Sequence, residues 1–162
     1  MGRAGAKAWV DRLDAWLAPF LAALPRAEQR RWAPLYVQGL LLPGERKSVE
    51  PMAERVCPGQ VQGLHHFVST STWPHEQLER VLAEQADQLV GGPDAVLVVD
   101  DTALVKQGQH SVGVQRQSCG QLGKRANCQA LVSLTLARGE VPVPVALRLF
   151  LPERWAEDTS RR

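Results

Sequence analysis

The chain has 162 residues, of which 44% are hydrophobic and 22% are charged, and its formal net charge is +2. This length allows a substantial core, and this composition excludes a wholly disordered chain. No apolar run reaches the roughly 18 residues that a membrane-spanning helix needs, and the N-terminus lacks the pattern of a signal peptide. The three cysteines form no C-x-x-C pair. We therefore expect a globular protein of a reducing cytoplasm, with neither a membrane span nor a disulfide scaffold.

The first 92 residues are predicted to be helical. Apolar residues recur at spacings of three and four between Trp9 and Leu24, which is typical of one face of an amphipathic helix, and Pro25 marks its end. The same reasoning predicts further helices over residues 27–41, 49–56, 60–69 and 75–90. Acidic and basic residues are equal in number over residues 1–92, so this region carries no net charge.

Two of the predicted helices are short and flank the turn Cys57-Pro58-Gly59. Together they resemble a helix-turn-helix over residues 49–69. The second helix carries Gln62 and His66, which are candidate contacts with DNA bases or phosphates. Two packed helices of an ordinary bundle would show the same pattern, so both interpretations remain open.

The composition changes at Gly91-Gly92-Pro93, which predicts a domain boundary between residues 92 and 93. Beyond it, a valine-rich run starting at Ala95 predicts a strand that is buried on both faces. Three strands are expected in all, over residues 95–101, 129–138 and 141–151.

The remaining segments of this second region have weaker patterns. Residues 103–128 show no clear period. The third strand is expected to begin irregularly or at an edge, because Pro142 and Pro144 cannot donate ladder hydrogen bonds. The polar residues 152–162 predict a frayed end. The fold class is therefore α+β, with a helical region over 1–92, a strand-rich region over 93–155 and a tail over 156–162.

Positive charge is concentrated in the strand-rich region. Residues 102–139 contain five cations and no acid. Such a stretch can follow a phosphate backbone. A solvated loop would explain the same composition. The candidate phosphate contacts are Lys106, Arg116, Lys124 and Arg125.

The strongest chemical feature is the pair Asp100 and Asp101 at the end of the first predicted strand. Hard divalent cations such as Mg²⁺ favour carboxylate oxygens, so either residue is a candidate metal ligand. Successive strand residues point to opposite faces, so the two cannot serve one site without a twist. The alternative is an aspartate that caps the following turn. A zinc site is not expected, because the spacing of Cys119 and Cys128 fits no common pattern.

Four segments of the sequence carry a more specific pattern. Together they resemble the N-terminal half of insertion-sequence transposases of the DDE superfamily, and the resemblance extends over residues 9–155. The segments are residues 40–53 (LLLPGERKSVEPMA), residues 65–69 (HHFVS) with Trp73, residues 98–103 (VVDDTA) and residues 119–129 (CGQLGKRANCQ).

The resemblance implies a helical region followed by an RNase H-like domain, of which this chain holds the first three strands, all antiparallel. It implies metal-dependent phosphoryl transfer, in which Mg²⁺ (or Mn²⁺) held by Asp, Asp and Glu supports cleavage at the element ends and attack on target DNA. The first Asp of that triad matches the Asp100–Asp101 site. Asp101 is preferred because Thr102 follows it, with Asp100 as the second candidate.

The sequence also departs from the family pattern. The acids that follow Asp101 are Glu140, Glu153, Glu157 and Asp158, and none has the context of the second Asp strand or the Glu helix. The chain therefore resembles a truncated transposase. We expect it to be inactive alone, to bind no metal stably, and to self-associate through an exposed apolar sheet face and edge.

The implied partners are DNA at the element ends, target DNA, and further copies of this chain or of a full-length transposase. The implied location is the bacterial cytoplasm, at the nucleoid, with no role for a membrane. The alternative function is a non-catalytic DNA-binding or dimerising module that inhibits or regulates transposition.

Overall fold

The computed structural model describes residues 3–158. The chain divides into two compact units, Met1–Val81 and Leu82–Arg162. The division falls within a helix, about ten residues before the Gly91-Gly92-Pro93 turn at which the composition changes. The first unit is helical and the second is built on an antiparallel sheet, so the predicted α+β class is confirmed. Among the described residues, no helix is long and apolar enough to cross a membrane.

Each of the five predicted helices forms, and only the first differs clearly in its bounds, because it begins at Arg3 rather than near Trp9. Pro34 lies inside the second helix without ending it. The helices are α1 (Arg3–Ala23), α2 (Ala27–Leu41), α3 (Val49–Val56), α4 (Val61–Ser69) and α5 (His75–Val90).

The core of the first unit lies where α2, α3 and α4 meet. Leu64 and Met52 are almost fully buried, and Trp32 and Phe67 pack with them. Phe67 also makes an edge contact with Trp73, at 4.6 Å between ring centroids. These residues are spaced to place one apolar stripe of each helix inward, which is why the short helices α3 and α4 are held in place.

One buried polar side chain links α2 to the segment before α5. Gln29 is 1% exposed. Its amide nitrogen donates to the carbonyl oxygen of Thr72 at 2.7 Å, and its amide oxygen accepts from the backbone N–H of Arg26 at 3.3 Å. Burial of an amide is tolerated because both ends are hydrogen-bonded.

The second unit contains a four-stranded sheet in which every strand pairs antiparallel with one long central strand. The first strand lies on one edge of the central strand, and the second and fourth strands follow one another along the opposite edge. The elements are β1 (Val96–Val105), β2 (Gln115–Cys119), β3 (Lys124–Arg138) and β4 (Val141–Leu149), with a 3₁₀ turn at Gly120–Leu122 and a short helix, α6, at Glu153–Ala156.

The three predicted strands are β1, β3 and β4, and β2 was missed. Strand β2 lies within residues 103–128, where the sequence shows no clear period. Its five residues are too few for an alternating pattern of side chains to be recognised. The irregular start of β4 is confirmed: Thr135 pairs with Pro144 but Leu134 pairs with Ala146, so Val145 forms a bulge.

The prediction that the first strand is buried on both faces is wrong. Leu97 and Val99 on one face are 64% and 70% exposed, and Val96 and Val98 on the other are 56% and 44% exposed. The physical reason is that β1 is an edge strand whose pairing, within residues 3–158, is with β3 alone. The expected exposed apolar face and edge are therefore present.

The prediction of a frayed end from residue 152 is wrong for the first residues of that segment. Helix α6 places Trp155, which is 6% exposed, beside the fully buried Val114. Its indole N–H donates to the carbonyl oxygen of Val114 at 2.8 Å. The buried and hydrogen-bonded indole of Trp155 therefore holds α6 in place, although the rest of this segment is polar. Residues 159–162 of the predicted tail lie outside the described residues.

Candidate active site and nucleic-acid interface

Asp100 and Asp101 lie in the middle of β1 rather than at its end, because the strand continues to Val105. Asp100 pairs with Ser133 and Asp101 with Val132, so their side chains are on opposite faces of the sheet. No turn follows them, which removes the interpretation of a turn-capping aspartate.

Both aspartate side chains are exposed, but their surroundings differ. The Oδ1 atom of Asp100 accepts a hydrogen bond from the backbone N–H of Asp101 at 2.9 Å. Asp101 lines two cavities, and Asp100 lines neither of them. The structure therefore separates two residues that the sequence alone treats as near equivalents.

The larger cavity beside Asp101 has a volume of about 540 Å³, which lies in the range typical of ligand sites. One wall is β1 and the other is the β2–β3 hairpin, which consists of β2, the 3₁₀ turn and the start of β3. The hairpin brings polar groups to the cavity. The residues that line it with Asp101 are Thr102, Ala103, Leu104, Ser118, Gly120 and Gln121.

The smaller cavity has a volume of about 290 Å³ and adjoins the same carboxylate. It is lined by Asp101, Gln117, Ala130, Val132 and Phe150. Both cavities therefore combine apolar side chains with amide or hydroxyl groups, and the smaller one is the more apolar. This combination suits a ligand with both a polar backbone and flat apolar parts.

Residues 3–158 do not provide a complete site for a pair of divalent cations. The described residues contain no group of three or more His, Cys, Asp and Glu side chains that could hold a metal ion. Asp101 pairs with Val132, and β3 continues for six more positions to Arg138. Glu140 lies just beyond Arg138, so it is about 20 Å from Asp101 along the sheet. Asp101 can contribute one carboxylate, and the ligand set of a metal pair needs more.

The four candidate phosphate-binding cations lie on or beside the β2–β3 hairpin and the end of β1. Lys106 follows β1 directly, and Arg116 lies in β2. Strand register places Arg116 and Arg125 on one face of the hairpin and Lys124 on the other. A guanidinium nitrogen of Arg125 donates to the backbone oxygen of Arg116 at 3.1 Å, which brings the two arginines together.

The helix pair at residues 49–69 is formed by α3 and α4. Gln62 and His66 both lie on the exposed surface of α4, while Leu64 and Phe67 anchor its opposite side in the core. The neighbouring Gln60 accepts a hydrogen bond from Arg31 at 2.6 Å. The candidate contacts are therefore accessible, and α4 is positioned by α2 and α3.

Sequence reasoning missed the hairpin residues that line the larger cavity together with Asp101, above all Ser118 and Gln121. Neither has a local pattern that indicates a site. They lie in or beside the residues 119–129 that carry the family resemblance, and this is the signal that could have found them. Their proximity to Asp101 depends on how the hairpin folds against β1, which periodicity does not report.

Comparisons with known proteins give the family. A sequence model of the DDE superfamily endonuclease family matches residues 19–162. A probable transposase for insertion sequence element IS701, from Microchaete diplosiphon, is 36% identical over 92 residues, which are 57% of this chain and 24% of that protein. The alignment thus spans about a quarter of that relative's length, and no solved structure matches the chain.

The family match covers most of the chain, including both aspartates, the hairpin and the helix pair. DDE endonucleases are generally metal-dependent, and a transposase family implies DNA binding. The chain therefore belongs to the DDE superfamily of endonucleases.

Proposed function

We propose that the chain takes part in DNA transposition and that Asp101 is the metal-ligating carboxylate it contributes. The observation that carries this proposal is the position of Asp101, exposed in the cavity between β1 and the β2–β3 hairpin. Mg²⁺ is commonly bound through one or two carboxylates together with substrate phosphates. A carboxylate that borders a cavity of nucleotide size is suited to that role, with Mn²⁺ as a substitute ion.

Asp100 is the weaker candidate for the same role. Its carboxylate already accepts the backbone N–H of Asp101, and Asp100 lines neither of the two cavities beside Asp101. We assign it to the local structure of β1. If further carboxylates are supplied and cleavage occurs, exchange of Asp100 for Asn should reduce it less than the same exchange at Asp101.

We infer that the 162 residues by themselves bind DNA without cutting it. The acids that follow Asp101 do not approach it as a ligand set, and a single carboxylate holds Mg²⁺ weakly. Cleavage at element ends and strand transfer would then require carboxylates that these residues do not supply.

The test is a nicking assay on DNA with the element ends, in Mg²⁺ and separately in Mn²⁺. It compares the chain with its Asp101→Asn and Asp100→Asn variants. We expect retained binding and no cleavage for all three. Cleavage by the parent chain that disappears in Asp101→Asn would overturn the inference of inactivity and would support Asp101 as a ligand. Cleavage that disappears only in Asp100→Asn would overturn the assignment of Asp101.

Contacts with the DNA backbone are proposed for Lys106, Arg116, Lys124 and Arg125. Three of these are exposed, and Lys106 is half-buried beside the end of β1. Removal of one cation that binds a phosphate should lower the slope of log K against log salt by about 1. The measurement is DNA binding at several salt concentrations, with Arg116→Ala and Arg125→Ala compared with the exposed α5 cation variant Arg80→Ala.

A second candidate function is a non-catalytic module that occupies element ends and regulates transposition. The observation that favours it is the accessible surface of α4, where Gln62 and His66 are exposed on a helix of a packed pair. The test compares binding to element-end and scrambled DNA for Gln62→Ala and His66→Ala, with the exposed α5 variant Gln77→Ala as control. A selective loss of element-end binding supports this function, and equal binding by all variants argues against it.

Self-association is proposed through β1, with a second copy of the chain as the partner. Leu97 and Val99 are 64% and 70% exposed on one face, and they lie on an edge strand. Sedimentation velocity should show dimers or larger species, and Leu97→Lys with Val99→Lys should reduce them. The matched control is Leu41→Lys, at an apolar residue 58% exposed on α2. A parent chain that sediments as a monomer at all concentrations would contradict the proposal.

A further inference from the structure

We propose a second phosphate-binding site in the cavity between residues 106–114 and α6, distinct from the cavities beside Asp101. Its ligand is a phosphodiester group of a DNA strand, recognised by Arg154 and His110. The cavity has a volume of about 360 Å³ and is lined by Gln109, His110, Val112, Arg154 and Trp155.

One wall of the cavity is the segment 106–114, which two side-chain amides of β3 hold against the sheet. Asn127 donates to the carbonyl oxygens of Lys106, at 3.2 Å, and Gly108, at 2.5 Å. Gln129 donates to the carbonyl oxygen of Val112, also at 2.5 Å. The segment is therefore a fixed wall of the site, because three of its backbone oxygens are bound by the sheet.

The other wall is α6, which is bound to the same segment. The indole of Trp155 and the guanidinium of Arg154 both donate to the carbonyl oxygen of Val114, at 2.8 Å and 2.7 Å. Val114 is fully buried and Trp155 almost so. The Arg154 guanidinium is thus anchored at one nitrogen, and an arginine has five N–H donors in a planar fork. Such preorganisation favours a bidentate acceptor such as phosphate.

The chemistry of the lining points to an anion. Arg154 is cationic, His110 offers an imidazole N–H, and Gln109 offers an amide donor. None of the described residues that line the cavity is acidic. Arginine, imidazole and amide donors around an open cavity are the groups that commonly hold phosphate oxygens.

This cavity is distinct from the Asp101 site, because it shares no lining residue with either cavity beside Asp101. Arg116 pairs directly with Asn127, so its side chain lies on the same face as the two amides that hold the segment. Arg125 is on that face too, two positions away, so cations continue from the cavity along the hairpin.

The choice of DNA as the source of the phosphate rests on the proposed function, since DNA is the polyanion that a transposase handles. The phosphate chemistry itself does not rest on it. Inorganic phosphate offers the same oxygens without a DNA strand. It is therefore the probe that distinguishes binding of a free phosphate from binding of DNA.

The experiment measures binding of a labelled DNA duplex by fluorescence anisotropy for the parent chain, His110→Ala and Arg154→Gln. The glutamine keeps a donor for Val114, and His110 is exposed, so folding is preserved in at least one variant. Arg80→Ala, on α5, is the charge-matched control. We expect the dissociation constant to rise about tenfold in each site variant, with a salt slope lower by about 1, and to be unchanged in the control.

The imidazole NMR signals provide a direct readout, because the chain has four histidines and His110→Ala identifies one of them. A shift of the His110 signal on adding DNA, together with weaker binding by both variants, supports the proposal. A shift with inorganic phosphate but unchanged DNA affinity of the variants overturns DNA as the ligand. No shift and no change in affinity overturn the site. Neither failure bears on Asp101, because the nicking assay and Asp101→Asn test that residue separately.

Discussion

The close approach of α4 to α2 depends on the absence of a side chain at Gly63. A Cβ atom built at this position would lie 2.1 Å from one ring carbon of Trp32 and 2.6 Å from another. Non-bonded carbons prefer a separation of about 3.5 Å or more, so the ring or the helix would have to move by about 1.4 Å. Trp32 is 6% exposed and is surrounded by the core of the first unit, so it has little room to move.

We therefore expect Gly63→Ala to destabilise the first unit despite improving the helix. Replacement of glycine by alanine inside a helix adds about 1 kcal/mol of stability. Overpacking of a core costs about 1–3 kcal/mol, and a displacement above 1 Å belongs at the upper end. The net loss is then about 2 kcal/mol, or roughly 8–16 °C in the midpoint of thermal unfolding for a unit of this size.

The assay is urea and thermal unfolding followed by circular dichroism at the helical band. Gly39→Ala is the matched control, since Gly39 is also buried inside a helix but its added Cβ would lie 3.1 Å from the Cβ of Met52. A shift of a few tenths of an ångström relieves that contact, so this variant should remain within about 1 kcal/mol of the parent. If the Gly63→Ala variant is as stable as the parent chain, or more stable, the inferred packing of α4 against Trp32 is refuted. Element-end binding should fall with it, because Gln62 and His66 lie on the same helix.

Three further predictions concern the removal of metal ions, the pH dependence of stability and the buried Trp155 of the second unit. Addition of EDTA should leave the unfolding midpoint unchanged, because the described residues hold no group of three metal-ligating side chains; a drop in the midpoint would contradict this. Burial raises the pKa of the Cys57 thiol from its ordinary value of 9.0, with Arg31 lowering it and Glu54 raising it further. The unfolded chain then loses this proton first, so stability should fall as the pH rises above 9, and Cys57→Ala should remove that part of the pH profile. Trp155→Phe should destabilise the second unit by about 1 kcal/mol in urea unfolding, since the variant cannot donate a hydrogen bond to the Val114 oxygen; no change would mean that α6 does not help to stabilise that unit.

Several parts of the fold follow from local patterns. The helices from Ala27 to Val90 have apolar stripes and breakers at their ends, and their bounds were predictable to within a residue or two. The irregular start of β4 was predictable because proline cannot donate a ladder hydrogen bond. In contrast, β2 is too short for its alternation to register, and α6 is polar apart from its one buried tryptophan. Such elements form because of distant partners, which a local pattern does not contain.

The candidate site divides in the same way. The residue types at Asp100 and Asp101, and their adjacency on one strand, were visible in the sequence, as was the cluster of cations between residues 102 and 139. The preference for Asp101 over Asp100 rested on a resemblance. The contact between the β2–β3 hairpin and β1, which places Ser118 and Gln121 beside Asp101, was not visible at all.

The sequence by itself determined the α+β class, the order of α1–α5 and of the strands β1, β3 and β4, the position of the acidic pair and the family resemblance. These properties depend on short-range spacing, residue chemistry and motifs, all of which are local. Only the tertiary structure decided which carboxylate borders a cavity, that β1 is exposed on both faces, and that α6 and residues 106–114 enclose a cationic cavity. The reason is that strand register and the packing of remote segments are set by the sum of many weak contacts, whose partners lie tens of residues apart.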